Sequence, residues 1–209
     1  MPLLSPEQFW AFLAASVLIT MAPGPDNLLV LSLGASRGRR SGMAFGLGCA
    51  TGCLSHTALA ALGVSALIAA STTAFTALKL AGGAYLIYLG WGALRSSGQR
   101  ALQDSGTETP ALQLFGKGLL TNAINPKVVI FFLSFLPQFV EPGAGHTGWQ
   151  IVQLGLVFTL QAAVLFGALG YFAGHIGAWL VQSRRAALWL DRIAGTVFVA
   201  LGLKLMVSR

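Results

Sequence analysis

Ala22-Pro23-Gly24-Pro25-Asp26-Asn27 interrupts an apolar stretch that runs from about Phe9 to Leu33. The stretch is long enough to cross a bilayer as a helix. Each proline removes a backbone donor and clashes with the turn before it, and each pushes its predecessor out of the α region. A continuous helix through Pro23-Gly24-Pro25 is therefore not expected. Within hydrocarbon, irregular backbone survives only where it is buried in protein or lines a wet cavity. The break is read as half of a substrate site facing the interior.

Composition places the rest of the chain around this break. Of 209 residues, 55% are hydrophobic and only 9% are charged, against roughly 25% charged in soluble domains. The expected class is an all-α integral membrane protein. Glu7 is the only charged side chain before Asp26, so the basic start of a cleavable signal peptide is missing and the first apolar segment reads as a retained span. A net charge of +7 would suggest nucleic acid in a soluble chain; here it reports topology.

Apolar blocks of span length fall at about Phe9–Leu33, Met43–Ala70, Phe75–Leu94, Leu112–Leu136, Trp149–Val181 and Ala187–Val207, which makes six. Nine of the thirteen Lys and Arg lie in the first, third and fifth loops, three lie on the opposite side, and Lys127 lies inside a span. The positive-inside rule puts those loops in the cytoplasm and both termini outside. Only the third loop is long, and its composition reads as a flexible linker. The expected organisation is a first three-helix repeat over residues 1–95, a cytoplasmic linker over 96–111 and a second three-helix repeat over 112–209.

Three spans on each side of a linker imply an inverted repeat. A shift of 101 places Leu18-Ile19-Thr20 on Leu119-Leu120-Thr121, Pro25 on Pro126 and Asp26 on Lys127. A shift of 112 places Gly83 on Gly195 and Gly90 on Gly202. The fourth span then repeats the oddity of the first. It reads Thr121-Asn122-Ala123-Ile124-Asn125-Pro126-Lys127, and a mid-span Lys costs roughly 2.5–3.5 kcal/mol on insertion scales. Counted from Arg37 and Lys117, Asp26 and Lys127 both lie about 15 Å deep, near the middle of a core about 30 Å thick.

Two broken helices at corresponding positions point to a transporter's binding site. Half-helices starting at Pro25 and Pro126 would present N–H groups to an anion. A zwitterion suits such a place. Its carboxylate would go to Lys127 and the N–H groups, and its ammonium to Asp26 and to the carbonyls of Asn27, Asn122 and Asn125. Asp26 and His56 are candidate carriers of a coupling proton. The competing reading is a permanent Asp26–Lys127 pair that only holds the two halves together, as in a non-transporting scaffold protein.

Cys49, Cys53 and His56 share one helical face, which raises a transition-metal exporter as an alternative. Glycines at 42, 46, 48 and 52 on the same span favour helix packing instead, and no metal site is expected. Gln161, in the middle of the fifth span, either faces the cavity or caps a neighbour. The motifs of hydrolases, metalloproteases, nucleotide-binding loops and thiol redox enzymes are absent from the sequence, so no enzyme activity and no cofactor are expected.

Ala22-Pro23-Gly24-Pro25-Asp26-Asn27, followed by Gly34, Arg37, Gly38 and Gly42, resembles the first signature of the lysine exporter (LysE/RhtB) family of bacterial amino-acid efflux permeases. Phe115-x-x-Gly118, Asn122-x-x-Asn125-Pro126-Lys127 and Phe131-Phe132-x-x-Phe135-Leu136-Pro137-Gln138-Phe139 resemble the second. Gly46, His56, Gly82-Gly83-Ala84-Tyr85-Leu86 and Tyr88-Leu89-Gly90 are similar as well. The resemblance implies a multi-pass permease of the bacterial inner membrane that exports amino acids or close derivatives on the proton gradient. Its partners would be a small-molecule substrate, protons and lipid, with no nucleic acid. Self-association into a homo-oligomer is left open, as is the choice among lysine, threonine, homoserine and leucine.

Overall fold

The computed structural model describes residues 4–64, 71–97, 109–141, 146–176 and 183–207. Residues 98–108, most of the expected linker, lie outside them, as do Arg100, Asp104, Glu108 and Arg209. The described residues contain helices and no strand.

Helix α1 (Pro6–Met21) opens on a capping box, in which Ser5 Oγ accepts from Gln8 N and Gln8 Oε1 accepts from Ser5 N. It ends at Ala22, where Pro23 stops it. Helix α2 (Pro25–Arg37) leaves at 59° to it. Gly38, at φ +86°, turns the chain into α3 (Arg39–Leu59), a left-handed conformation that glycine adopts without strain. The second span therefore starts ahead of the expected Met43. Hydropathy does not report this, because the extra turn carries Arg39 and Arg40. After α3 the helix widens into a π turn at Ala60–Val64.

Helix α4 (Thr72–Leu94) is capped by Ser71. Helix α5 (Ala111–Ala123) gives way at Asn125 to α6 (Pro126–Ile130), whose helical path continues as a π turn over Phe131–Phe135 and a tighter 3₁₀ turn over Leu136–Phe139. The bend between the two limbs is 51°. Helices α7 (Thr147–Tyr171) and α8 (Arg184–Val207) complete the chain.

Four helices are long and apolar enough to cross a membrane, and the bent pairs α1–α2 and α5–α6 bring the number up to six. Small residues set how they pack, as expected where lipid offers no hydrophobic drive. Helix α3 is central. Gly42 and Gly46 let it cross α7 at Gly170 and Phe166, running antiparallel. Gly48 and Gly52 seat it along α5 at Phe115 and Leu119, running parallel. These directions are those of consecutive spans that alternate in sense.

Helices α4 and α8 form a second close pair. A Cβ on Gly90 would stand 2.7 Å from the Gly195 carbonyl oxygen, and one on Gly195 equally 2.7 Å from that of Gly90. Gly83 and Gly202 oppose each other in the same way, at 2.9 and 2.6 Å. The sequence shift matches Gly83 with Gly195 and Gly90 with Gly202. Contact between Gly83 and Gly202, and between Gly90 and Gly195, shows that α4 and α8 run antiparallel.

Arg37, Arg39 and Ser96 meet Thr109, Tyr171 and Asp191 at one end of the bundle, the basic end. At the other, Gln8 Nε2 donates to Phe139 O at 2.9 Å. Between that end and the breaks lies an aromatic cluster of Phe12, Phe131, Phe132, Phe135 and Phe158, with ring centroids 4.9–6.1 Å apart. Large apolar side chains such as Leu62, Leu112 and Leu160 cover the outside.

Candidate functional site

The two breaks meet. Lys127 comes from the start of α6 and Asp26 from the start of α2, and both are buried. Their partners differ from the direct pairing expected. Lys127 Nζ donates to Ile19 O at 3.2 Å and to Ala22 O at 3.0 Å. Asp26 Oδ2 accepts from Asn122 Nδ2 at 2.8 Å. Among the described residues, no ion pair joins Asp26 to Lys127. The reason lies in the break itself. A helix end leaves its last carbonyls without intrahelical partners and carries partial negative charge. At the end of α1 those carbonyls sit inside the protein, so they take the ammonium. Asn27 Nδ2 takes a third, Thr20 O, at 2.8 Å. An ammonium has three N–H groups, and two of these in Lys127 are used on α1.

The helix starts are also unequal. At α6, Asn125 Oδ1 accepts from Lys127 N at 3.0 Å, so the end expected to receive an anion is capped by its own residue. At α2, Gly24 provides no side-chain cap. Gly24, between Pro23 and the first residue of α2, is extended between the half-helices.

Asn122, in the last turn of α5, is the hub on the other side. Its Nδ2 reaches Asp26, its Oδ1 accepts from Cys53 Sγ at 3.5 Å, and its backbone oxygen accepts from His56 Nε2 at 3.0 Å. A carbonyl only accepts, so Nε2 is the protonated nitrogen of His56. Cys49 and Cys53 are free and buried. Among the described residues, no three His, Cys, Asp or Glu side chains gather to hold a metal ion.

Burial makes unpaired polar atoms informative. Among the described residues five buried side-chain atoms lack a hydrogen-bond partner: Ser16 Oγ, Asp26 Oδ1, Asn27 Oδ1, Gln161 Oε1 and Asn125 Nδ2. The four oxygens lie on α1, α2 and α7. The single nitrogen lies beside Lys127. Unmet acceptors and an unmet donor are thus buried together at the paired breaks.

Two cavities flank Lys127. The inner one, about 10 Å³, is lined by Thr20, Asp26, Asn122 and Lys127, with Phe131 and Phe158 closing it toward the aromatic cluster. The outer one, about 680 Å³, runs from Pro23–Pro25 and Asn125–Lys127, past Tyr85, Tyr88 and Phe198, to Ser96 and Asp191 at the basic end. The inner volume holds about one water-sized group, and the outer one is within the usual size for small-molecule sites. Sequence reasoning singled out Asp26, Asn27, Asn122, Asn125 and Lys127, and the structure brings all five to the breaks. It missed Ser16 and Thr20, which look like ordinary small polar residues of a membrane helix. Their four-residue spacing, ending at the break, is the signal that was available.

Comparison with known proteins fits this arrangement. The model of the LysE type translocator family matches residues 17–209. The threonine efflux protein of Escherichia coli K12 is 34% identical over 92% of this chain and 94% of its own length. The homoserine/homoserine lactone efflux protein of Salmonella typhimurium is 28% identical over 97% and 98%. An uncharacterised membrane protein of Pseudomonas aeruginosa is 34% identical over 100% of this chain and 99% of its own. No solved structure matches. The chain belongs to the LysE family of translocators, as a multi-pass membrane protein whose relatives include amino-acid efflux proteins; these point to a transporter rather than an enzyme.

Proposed function

We propose that this protein exports a small amino acid of the threonine or homoserine kind from the cytoplasm, driven by the proton gradient across the bacterial inner membrane. The observation that carries the reading is that unmet acceptors and unmet donors are both buried at the paired breaks. The third N–H of Lys127 and Asn125 Nδ2 suit a carboxylate, and Asp26 Oδ1 and Asn27 Oδ1 suit an ammonium. A zwitterion satisfies both sides at once.

The outer cavity is the route from the cytoplasm, and Tyr85, Tyr88 and Phe198 line it. The aromatic cluster closes the path outward, and the irregular turn Phe131–Phe139 is the element that rearranges to open it; π turns recur at such functional places. Asp26 carries the coupling proton, and His56, which contacts the backbone of Asn122 beside it, is the second candidate. Residues 1–95 and 112–209 act as inverted halves joined by 96–111, and both termini are periplasmic.

The experiment is uptake of a panel of labelled amino acids into inverted membrane vesicles with an acid interior. Accumulation of L-threonine or L-homoserine that collapses with the pH gradient supports the proposal. Equal uptake with and without the gradient contradicts its coupling. Failure to transport any amino acid contradicts the function.

A further inference from the structure

Thr20 ties two elements together at the break. Its Oγ1 accepts from Gln161 Nε2 at 2.8 Å, and its backbone oxygen accepts from Asn27 Nδ2 at 2.8 Å. Each amide spends its nitrogen on Thr20 and leaves its oxygen without a partner. Ser16, one turn earlier on the same face of α1, has an unpartnered Oγ, and Asp26, next to Asn27, has an unpartnered Oδ1. All five residues are more than nine-tenths buried, Gln161 being the most accessible at 9%.

A buried oxygen without a donor is destabilising, and four such atoms lie on the two amides bonded to Thr20, on Ser16 one turn before it and on Asp26 beside Asn27. The set is almost purely accepting, and one member is a carboxylate. A second carboxylate would be repelled by Asp26 and would gain no donor from the two amide oxygens. A primary ammonium has three N–H groups, a positive charge and no acceptor. The inner cavity, about 10 Å³ and lined by Thr20, Asp26, Asn122 and Lys127, has room for a group the size of one water. That is the size of an ammonium nitrogen, so the remainder of an amino acid lies toward Lys127 and the outer cavity.

We infer that Ser16, Thr20 and Gln161 complete, with Asp26 and Asn27, a subsite for the α-ammonium group of the substrate, and that Gln161 on α7 and Thr20 on α1 select amines over their deaminated analogues. The inference rests on the amino-acid export reading above and adds the residues that recognise one end of the substrate. It also gives α7 a part in binding.

The test is competition against labelled L-threonine uptake in inverted vesicles. The competitors are unlabelled L-threonine and its deaminated analogue, 3-hydroxybutyrate, with sodium or potassium as the only metal cation. In the unmodified protein L-threonine competes far better than the analogue, in either salt. Thr20→Val keeps the shape of the side chain and removes the hydroxyl; Gln161→Leu removes the amide. Each lowers the preference for the amine by roughly tenfold or more, whereas Thr20→Ser retains it. Unchanged preference in both Thr20→Val and Gln161→Leu, with export intact, overturns the subsite and leaves the export reading standing. A sodium requirement that Gln161→Leu abolishes also overturns it, by assigning the oxygens to a metal cation. Absence of any amino-acid uptake by the unmodified protein overturns the export reading and the subsite with it.

Discussion

A Cβ on Gly24 would stand 2.9 Å from Lys127 Nζ. The glycine at the break of the first half thus keeps open the place where the ammonium from the second half reaches the carbonyls of α1. This relationship couples two positions more than one hundred residues apart, and it explains why the break contains a glycine between its prolines.

Gly24→Ala should therefore move Lys127 without unfolding the protein, because the far end of a flexible side chain gives way easily. Loss or lengthening of hydrogen bonds to a charged group is worth about 1.5–3 kcal/mol. The expected result is a fall in export of roughly tenfold or more at unchanged abundance in the membrane. Quantitative blotting beside vesicle uptake checks it; normal uptake would separate Gly24 from Lys127.

Asp26 and Asn122 should be energetically coupled. Asn122→Leu strands a buried carboxylate oxygen, and Asp26→Asn removes its charge. A double-mutant cycle on thermal unfolding in detergent should give a coupling of about 1–3 kcal/mol. Strict additivity would show that the 2.8 Å contact contributes nothing.

The α4–α8 contact predicts a large effect from a small change. Gly90→Val places a branched side chain 2.7 Å from the backbone of α8, and overpacking of this kind costs about 1–3 kcal/mol. Gly195→Val should cost a similar amount, because the contact is reciprocal. The same substitution at Gly92, where nothing lies within 4 Å, should leave the melting temperature nearly unchanged.

Ser96 Oγ donates to Asp191 Oδ2 at 2.6 Å at the mouth of the outer cavity. With Cys49 and Cys53 replaced by Ala, the pair Ser96→Cys and Asp191→Cys should form a disulfide under mild oxidation. That disulfide should block uptake into inverted vesicles, and dithiothreitol should restore it. Full activity of the cross-linked protein would remove this mouth from the substrate's route.

Much of this architecture is legible in sequence because the membrane imposes strong rules. Six apolar blocks, proline at the same place in two of them and a charge beside each proline locate the breaks within a few residues. The partners are not legible. Asp26 and Lys127 have opposite charge and similar depth, which suggests a pair, but the carbonyls of Ile19 and Ala22 compete for the ammonium and carry no mark in the sequence. Asn122 shows only an amide at an apolar position, and its three contacts arise from where α5 ends against α2 and α3. The π turn at Phe131–Phe135 is equally hidden, because its residues are ordinary helix-compatible side chains.

The central claim is that the buried charges at the paired breaks handle the substrate and the proton. The most direct measurement is uptake of labelled L-threonine into acid-interior inverted vesicles containing the unmodified protein, Asp26→Asn or Lys127→Ala, each normalised to its amount in the membrane. The account predicts accumulation by the unmodified protein and uptake at the level of empty vesicles for both variants. Accumulation by Lys127→Ala equal to that of the unmodified protein would contradict it.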